Sequence, residues 1–234
     1  MTKMKVSSEV AEVNTTRDEN EPAWRQRAVS RSLSAARSRA EQRVQRFMDA
    51  AFELIDEKST TEFTIQEVVD RSKQSLRGFY QYFDGKDELL LALFEETTRE
   101  AVEDIRKFVD SETEPMARLR AFTIRLHEWC EPPGTPRTRG SHNRRPIMEF
   151  SMQLAVSHPA RLRAAMAPIA RLLVELLDAA VTAGAIKVAD ARRTALLMEQ
   201  TVQWSWMVNR IVENPRMRIT AEETWEFCLH GLRG

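Results

Sequence analysis

The stretch FTIQEVVDRSKQSLRGFYQYFDGKDELL, Phe63–Leu90, decides the fold of this chain. Thr64 and Glu67 have the spacing of a capping box, and Phe63 and Val68 take the staple positions around it, so a helix starts at Thr64. Ile65, Val68 and Val69 give that helix one apolar face. The pattern fades at Asp70-Arg71-Ser72. Ser75 is the next candidate N-cap. Leu76, Phe79, Tyr80 and Phe83 then mark a helix of about two turns, ending near Phe83-Asp84-Gly85. A further helix begins near Lys86, and Leu90, Leu93, Phe94, Thr97, Ala101, Ile105 and Phe108 keep one stripe for about six turns. Two such short helices cannot bury a core by themselves. They must pack on the helix before them and on the start of the helix after them, as a three-helix unit joined to a connecting rod.

Upstream, Val44, Phe47, Met48, Ala51, Phe52 and Ile55 follow helical spacing, which predicts a first helix from the late 30s to about Lys58. Residues 1–33 are polar and read as a mobile tail. From Trp24 to Arg46 the basic residues are Arg25, Arg27, Arg31, Arg37, Arg39, Arg43 and Arg46, with Glu41 the single acid. This run reads either as an arm for phosphates or as a solvated linker.

Downstream the pattern stays helical. Leu119, Phe122, Thr123, Leu126 and Trp129 mark one helix. Glu131–Pro146 is rich in Pro, Gly and Arg and reads as a loop. A short helix spans Ile147 to Val156. Pro159 opens the next, which Gly184 stops. Helices then span Ala191 to Val212 and, after a second capping box at Thr220 and Glu223, run to the C-terminus. No stretch alternates as a strand does. The chain therefore reads as all-α. Its expected parts are a tail (1–33), an N-terminal three-helix helix-turn-helix domain (34–88), and a C-terminal helical domain for ligand binding and dimerisation (89–234).

Composition agrees with this reading. The chain has 234 residues, and a hydrophobic content of 42% is enough for a sizeable core. With 7 Gly and 9 Pro, long helices are unobstructed. No apolar run is long enough for a membrane helix, no signal peptide is visible, and Cys130 and Cys228 make no disulfide framework, so the cytoplasm is the expected compartment. A formal net charge of zero argues against coating nucleic acid without specificity, but leaves local basic patches open.

A helix, a three-residue turn and a second short helix form the helix-turn-helix pattern, whose second helix presents its N-terminal side chains to the major groove. The outward candidates are Gln74, Ser75, Leu76, Arg77, Tyr80 and Gln81. Arg77 suits guanine O6 and N7, and Gln81 or Gln74 suits adenine. Tyr80, Lys86 and the start of the second helix near Thr64 offer donors to phosphates. Arg37 and Arg39 of the basic run join this set.

The stretch resembles the DNA-binding domain of the tetracycline-repressor (TetR) family of bacterial regulators. FTIQEVV, FYQYF and KDELL carry the resemblance at the family's spacing, over about 30 residues. The resemblance implies a two-domain all-α homodimer that places one helix per subunit in the major groove of a palindromic operator. It also implies a small molecule in the C-terminal domain that releases the DNA. There are departures from the family pattern. Ser72-Lys73-Gln74-Ser75 replaces Ala-Gly-Val-Ser, so Lys73 stands where a glycine takes a left-handed conformation. Gly78 lies inside the reading helix, where it lets the backbone approach DNA. Gly85 replaces the Ser or Asn cap before Lys86.

Phe122, Trp129, Met148, Phe150, Met152, Met166, Trp204 and Trp206 read as lining for an apolar pocket, or as plain core. Arg137, Arg139, Arg144 and Arg145, with Arg161, Arg163 and Arg171, suit the phosphates of an acyl thioester, or a solvated surface. Long-chain acyl-CoA is the effector that both sets together suggest. The pair His127 and Cys130 lacks further metal ligands nearby and reads as a packed face, and Cys228 reads as core. No phosphate loop, no Gly-x-Ser-x-Gly and no His-Glu-x-x-His is present, so neither an enzyme nor a cofactor is expected. The alternative to a regulator is a helical ligand carrier without specific DNA binding.

Overall fold

The computed structural model describes residues 22–130 and 145–233. Among them the architecture is all helical: α1 (Ala23–Lys58), α2 (Ile65–Ser72), α3 (Leu76–Phe79), α4 (Lys86–Val109), α5 (Pro115–Cys130), α6 (Arg145–Ser157), α7 (Pro159–Thr182), α8 (Ala191–Ile211) and α9 (Ala221–Arg233). A 3-10 turn, Pro215–Met217, stands between α8 and α9. The chain falls into two units, residues 1–43 and residues 44–234.

In the first unit, residues 23–43 are helical, so α1 begins well before the late 30s and Ala23 to Leu33 are helix rather than tail. The cause is intrinsic preference. The segment is rich in Ala, Arg, Gln and Leu, which lose little on entering a helix, and has no Gly or Pro to break it. Side-chain exposure is high along it, which is why the sequence there lacks a core-facing stripe. Residues 1–21 of the expected tail lie outside the described residues.

In the second unit the buried side chains gather into two clusters. The first joins Phe47, Ala51 and Ile55 of α1, Val68 and Val69 of α2, Phe79, Phe83, and Leu89, Leu90 and Leu93 of α4. Ile147, Phe150 and Leu154 of α6 and Ala165 of α7 belong to it as well. Its centre is aromatic: Phe47 meets Phe79 edge-on at 5.5 Å and Phe83 at 6.3 Å between ring centroids. The second cluster joins Ile105 of α4, Leu119, Phe122 and Leu126 of α5, Leu173 and Leu177 of α7, Val202 of α8, and Trp225 and Leu232 of α9. The long α4 supplies side chains to both and packs on α5 and α7.

Three buried threonines are satisfied within their own helices. Thr97, Thr98 and Thr123 donate to the carbonyls of Leu93, Phe94 and Leu119 at 2.8–2.9 Å. Burial pushes the Cys228 thiol up to about 11, so it stays protonated and packs as a small apolar group. The side-chain amide of Asn209 exchanges two hydrogen bonds with the backbone of Ile219, donating at 2.8 Å and accepting at 2.7 Å, which pins the α8–α9 connection. The capping box at Thr220 and Glu223 forms as its spacing predicts. Gly184 ends α7 region at φ 71°, in the left-handed conformation expected of a stop. Helix α6 starts at Arg145, two residues before the expected Ile147, with Pro146 in its first turn where the missing N–H costs nothing. The rest of the Glu131–Pro146 segment, residues 131–144, lies outside the described residues.

Candidate nucleic-acid interface

Helix α2 is held at its start by the predicted capping box. The Thr64 hydroxyl accepts from Glu67 N–H at 3.2 Å, and the Glu67 carboxylate accepts from Thr64 N–H at 2.8 Å. Lys58 donates to the same carboxylate at 2.6 Å. The Lys58 bond, followed by the two from Thr64, holds the Glu67 carboxyl down at about 2. The Thr64 hydroxyl is thus engaged in the cap.

Helix α2 ends in a Schellman arrangement. Gln74 N–H reaches Val69 O at 3.2 Å and Lys73 N–H reaches Asp70 O at 3.3 Å, with Lys73 at φ 55°, ψ 36°. The sequence therefore puts a lysine at the left-handed position that favours glycine. Replacing Lys73 by glycine relieves about 1 kcal/mol of strain. The expected result is a rise of roughly 2–4 °C in Tm for a chain of this size. A thermal melt followed by circular dichroism checks it, and an unchanged or lower Tm contradicts it.

Ser75 caps α3 by accepting from Gly78 N–H at 3.0 Å. The structure supplies a second reason for Gly78: an added Cβ would stand 3.1 Å from the Ser75 hydroxyl oxygen, with the Phe47 ring at 4.0 Å. The glycine leaves room for the cap. Helix α3 is one turn, shorter than the two turns expected. After Phe79 the chain continues in turns, with Tyr82 and Phe83 N–H both on the Phe79 carbonyl at 3.0 Å. Gly85 has an extended φ of 168° and open space around it, so its conformation does not demand glycine.

This local structure sets Ser75, Leu76, Arg77, Tyr80 and Gln81 on the solvent side, while Phe79 is buried. Gln74 is half-buried, and its amide nitrogen faces the Ser72 and Lys73 carbonyls at 3.4 and 3.3 Å. The Tyr80 ring stands edge-on to Phe79, with 54% of the residue exposed. Lys86, at the start of α4, lies 5.2 Å over the Phe63 ring and 3.9 Å from the Glu62 carboxylate. In the first unit, Arg37 pairs with Glu41 at 2.8 Å, which raises its pKa through that hydrogen bond, and Arg39 donates to Ala35 O at 3.1 Å.

Among the described residues the candidate pocket residues fall in different places. Phe122 is buried in the second cluster, with Trp129 packed against it. Phe150 is buried in the first, with Met148 and Met166 against it. Trp206 is buried, while Met152 and Trp204 are exposed. Met166 and Trp204 do meet, in a groove of about 930 Å³ along α7 and α8 that Val174, Leu196, Arg163, Arg171 and Arg192 also line. A second groove, about 840 Å³, runs along α8 and α9 with Leu197, Trp204 and Phe227 on its walls. Arg161 instead donates to Glu88 of α4 at 2.9 Å. Arg137, Arg139 and Arg144 lie outside the described residues, and Arg145 begins α6. His127 is on the buried face of α5, and Cys130 closes that helix half-buried.

Sequence reasoning did not single out Glu199. It is buried on α8 at the floor of the α7–α8 groove, accepts from the Gln203 amide at 3.3 Å, and is pushed up to about 7 by burial. Its place one turn from Val202 and beside Met198 was the available signal.

Residues 47–93 match the model of bacterial regulatory proteins of the tetR family. The segment from late α1 to early α4 is therefore the helix-turn-helix of that class, as the motif resemblance implied. The whole-chain fold agrees. FadR from Bacillus subtilis, crystallised with stearoyl-CoA, is similar at 16% identity and a TM-score of 0.59, covering 81% of this chain and 99% of that one. A bacterial regulatory protein of the tetR family from Rhodococcus RHA1 is similar at 17% identity and a TM-score of 0.56, covering 82% and 97%. The superantigen PfiT is similar at 18% identity and a TM-score of 0.61, covering 82% and 96%, so the fold alone does not fix the activity. No curated protein matches the chain in sequence. No helix among the described residues is long and apolar enough to cross a membrane.

Proposed function

We propose that the chain is a ligand-responsive transcriptional repressor that binds a palindromic operator as a homodimer. The observation that carries the reading is α3: its N-cap holds Arg77 and Gln81 toward solvent inside the segment that matches the tetR family. In this reading α3 enters the major groove. Arg77 takes guanine O6 and N7, and Gln81 or Gln74 takes adenine. Tyr80, Lys86 and the amides at the start of α2 near Thr64 take phosphates. Lys86 exchanges an exposed carboxylate at 3.9 Å for a phosphate, a change that costs little.

The effector is a long-chain acyl-CoA. The α7–α8 groove combines an apolar floor around Met166 and Trp204 with Arg163, Arg171 and Arg192, which suits an alkyl chain with an anionic head. Two similar structures support it: the FadR with stearoyl-CoA, and the fatty acid degradation regulator FadR of Bacillus halodurans at 17% identity and a TM-score of 0.58, covering 81% of this chain and 99% of that one. Helices α6 and α7 put Phe150 and Ala165 in one core with Phe47 and Phe79, and Arg161 ties α7 to α4, so a shift of α7 reaches the reading head.

Footprinting on DNA upstream of the gene gives the operator, and Arg77→Ala then tests the reading. Specific affinity falls by about 1–3 kcal/mol and preference relaxes at one base pair per half-site. Equal loss on random DNA makes Arg77 a phosphate contact. A wild-type protein with no preference for any site leaves the carrier reading instead. Stearoyl-CoA added to the complex releases the DNA while free CoA does not; equal action by both removes the acyl chain from the proposal.

A further inference from the structure

The N-terminal part of α1 is a helix without a core. Residues 23–43 bear six arginines, Arg25, Arg27, Arg31, Arg37, Arg39 and Arg43, against one acid, Glu41. All six are exposed. Arg37 pairs with that acid. A helix of 21 residues is about 32 Å long, and duplex DNA carries one charge per about 1.7 Å of axis. The spacing of the arginines, i, i+2, i+6, i+12, i+14 and i+18 from Arg25, distributes them around the helix at 100° per residue.

We infer that residues 23–43 of α1 are a phosphate-binding arm that holds the operator duplex without reading its sequence. The inference rests on the DNA-binding reading above, because charge complementarity is what selects the occupant. Val29, Leu33, Ala36 and Ala40 do form a stripe at i, i+4, i+7 and i+11, with Val29 49% and Leu33 65% exposed. That stripe holds two large side chains, and Arg25, Arg37 and Arg43 border it on both sides. A helix lying in a lipid surface needs a wide apolar face, and this one has only a narrow stripe edged by three of its six arginines. Arginine also suits the role by geometry, since its planar fork takes phosphate oxygens two at a time.

The test uses the full chain with Arg25, Arg27, Arg31, Arg39 and Arg43 all changed to Gln, which keeps helix propensity and leaves the Arg37–Glu41 pair in place. A companion variant carries Lys at the same five positions. Binding to operator and to random duplex is measured across a salt series. With a slope of about 0.9 per neutralised phosphate, the Gln variant flattens the dependence of log K on log salt by up to about 4.5 per subunit on both DNAs. The ratio of operator to random affinity stays the same, and the Lys variant keeps the wild-type slope. An unchanged slope in the Gln variant overturns the arm. So does equal loss in the Lys variant, which would mean a structural role, or an unchanged DNA slope combined with capture of the wild type by anionic vesicles. If the wild type shows no preference for operator yet the Gln variant still flattens the slope, the base-reading proposal fails and the arm stands.

Discussion

Leu197→Glu with Phe227→Glu yields a folded monomer that has lost at least about 100-fold in operator affinity, because two linked half-sites bind far more tightly than one. The two side chains are 66% and 70% exposed, so neither supports the subunit core. On α8, Leu197, Trp204 and Ile211 recur every seven residues and form one exposed apolar stripe, while Ala195, Met198 and Val202 are buried on the other side. Phe227 of α9 adds to the same surface across the groove that it shares with Leu197 and Trp204. An apolar patch of this kind calls for a partner, and a two-fold pairing of α8 and α9 covers it with a copy of itself. Removing α9 altogether is the poorer experiment. Trp225, Cys228 and Leu232 are buried in the subunit, so that deletion unfolds the chain whether or not it dimerises there. Sedimentation velocity and circular dichroism, followed by operator titration, read the outcome. A double variant that still sediments as the wild type moves the interface to another face.

What could be read from the sequence was local. The capping boxes at Thr64 and Thr220 need only two side chains three residues apart, and both formed as written. The left-handed position of Lys73 was implied by the family resemblance, which puts a glycine there, and the structure has Lys73 at φ 55°. The early start of α1 was missed because periodicity detects burial, and residues 23–38 are helical through intrinsic preference without burial. The pocket list fared differently for a different reason. Phe122 and Phe150 are alike in size and polarity, yet one packs with α5 and α9 and the other with α1 and α6. Which core an aromatic residue joins depends on contacts between helices far apart in the chain, and no short pattern encodes that. Trp204 and Trp206 make the point within one helix: two residues apart, one faces both grooves and the other is buried.

Glu199→Gln removes one fall in the fold's stability with rising pH that the wild type shows. The wild-type carboxyl is buried among Ala195, Val202 and Trp206 of its own helix, and burial alone raises it to about 7 from an ordinary 4.5. Arg163, Arg171 and Arg192 line the same groove, yet none offsets the loss of water around it. The sign follows from where the proton is held. Below pH 4.5 the group is neutral in both the folded and the unfolded chain, and the pH has no effect through it. Between 4.5 and about 7 the unfolded chain releases the proton while the folded chain keeps it, so stability falls as pH rises. Above about 7 the folded chain is ionised too and the fall ends. At about 1.36 kcal/mol per unit, the whole window amounts to about 3 kcal/mol at most, or roughly 6–12 °C in Tm for a chain of this size. Glutamine keeps the shape and the contact with Gln203 but has no proton to lose. The difference in Tm between pH 5 and pH 8, wild type minus Glu199→Gln, isolates this carboxyl from the other titrating groups, and equal differences in the two proteins reject the buried-acid account. The same proton governs the proposed effector groove. A neutral Glu199 gives an alkyl chain an apolar floor, whereas a charged one must be buried or hydrated beside it. Stearoyl-CoA therefore releases operator DNA at lower concentration at pH 6 than at pH 8 in the wild type, and at the same concentration at both in Glu199→Gln.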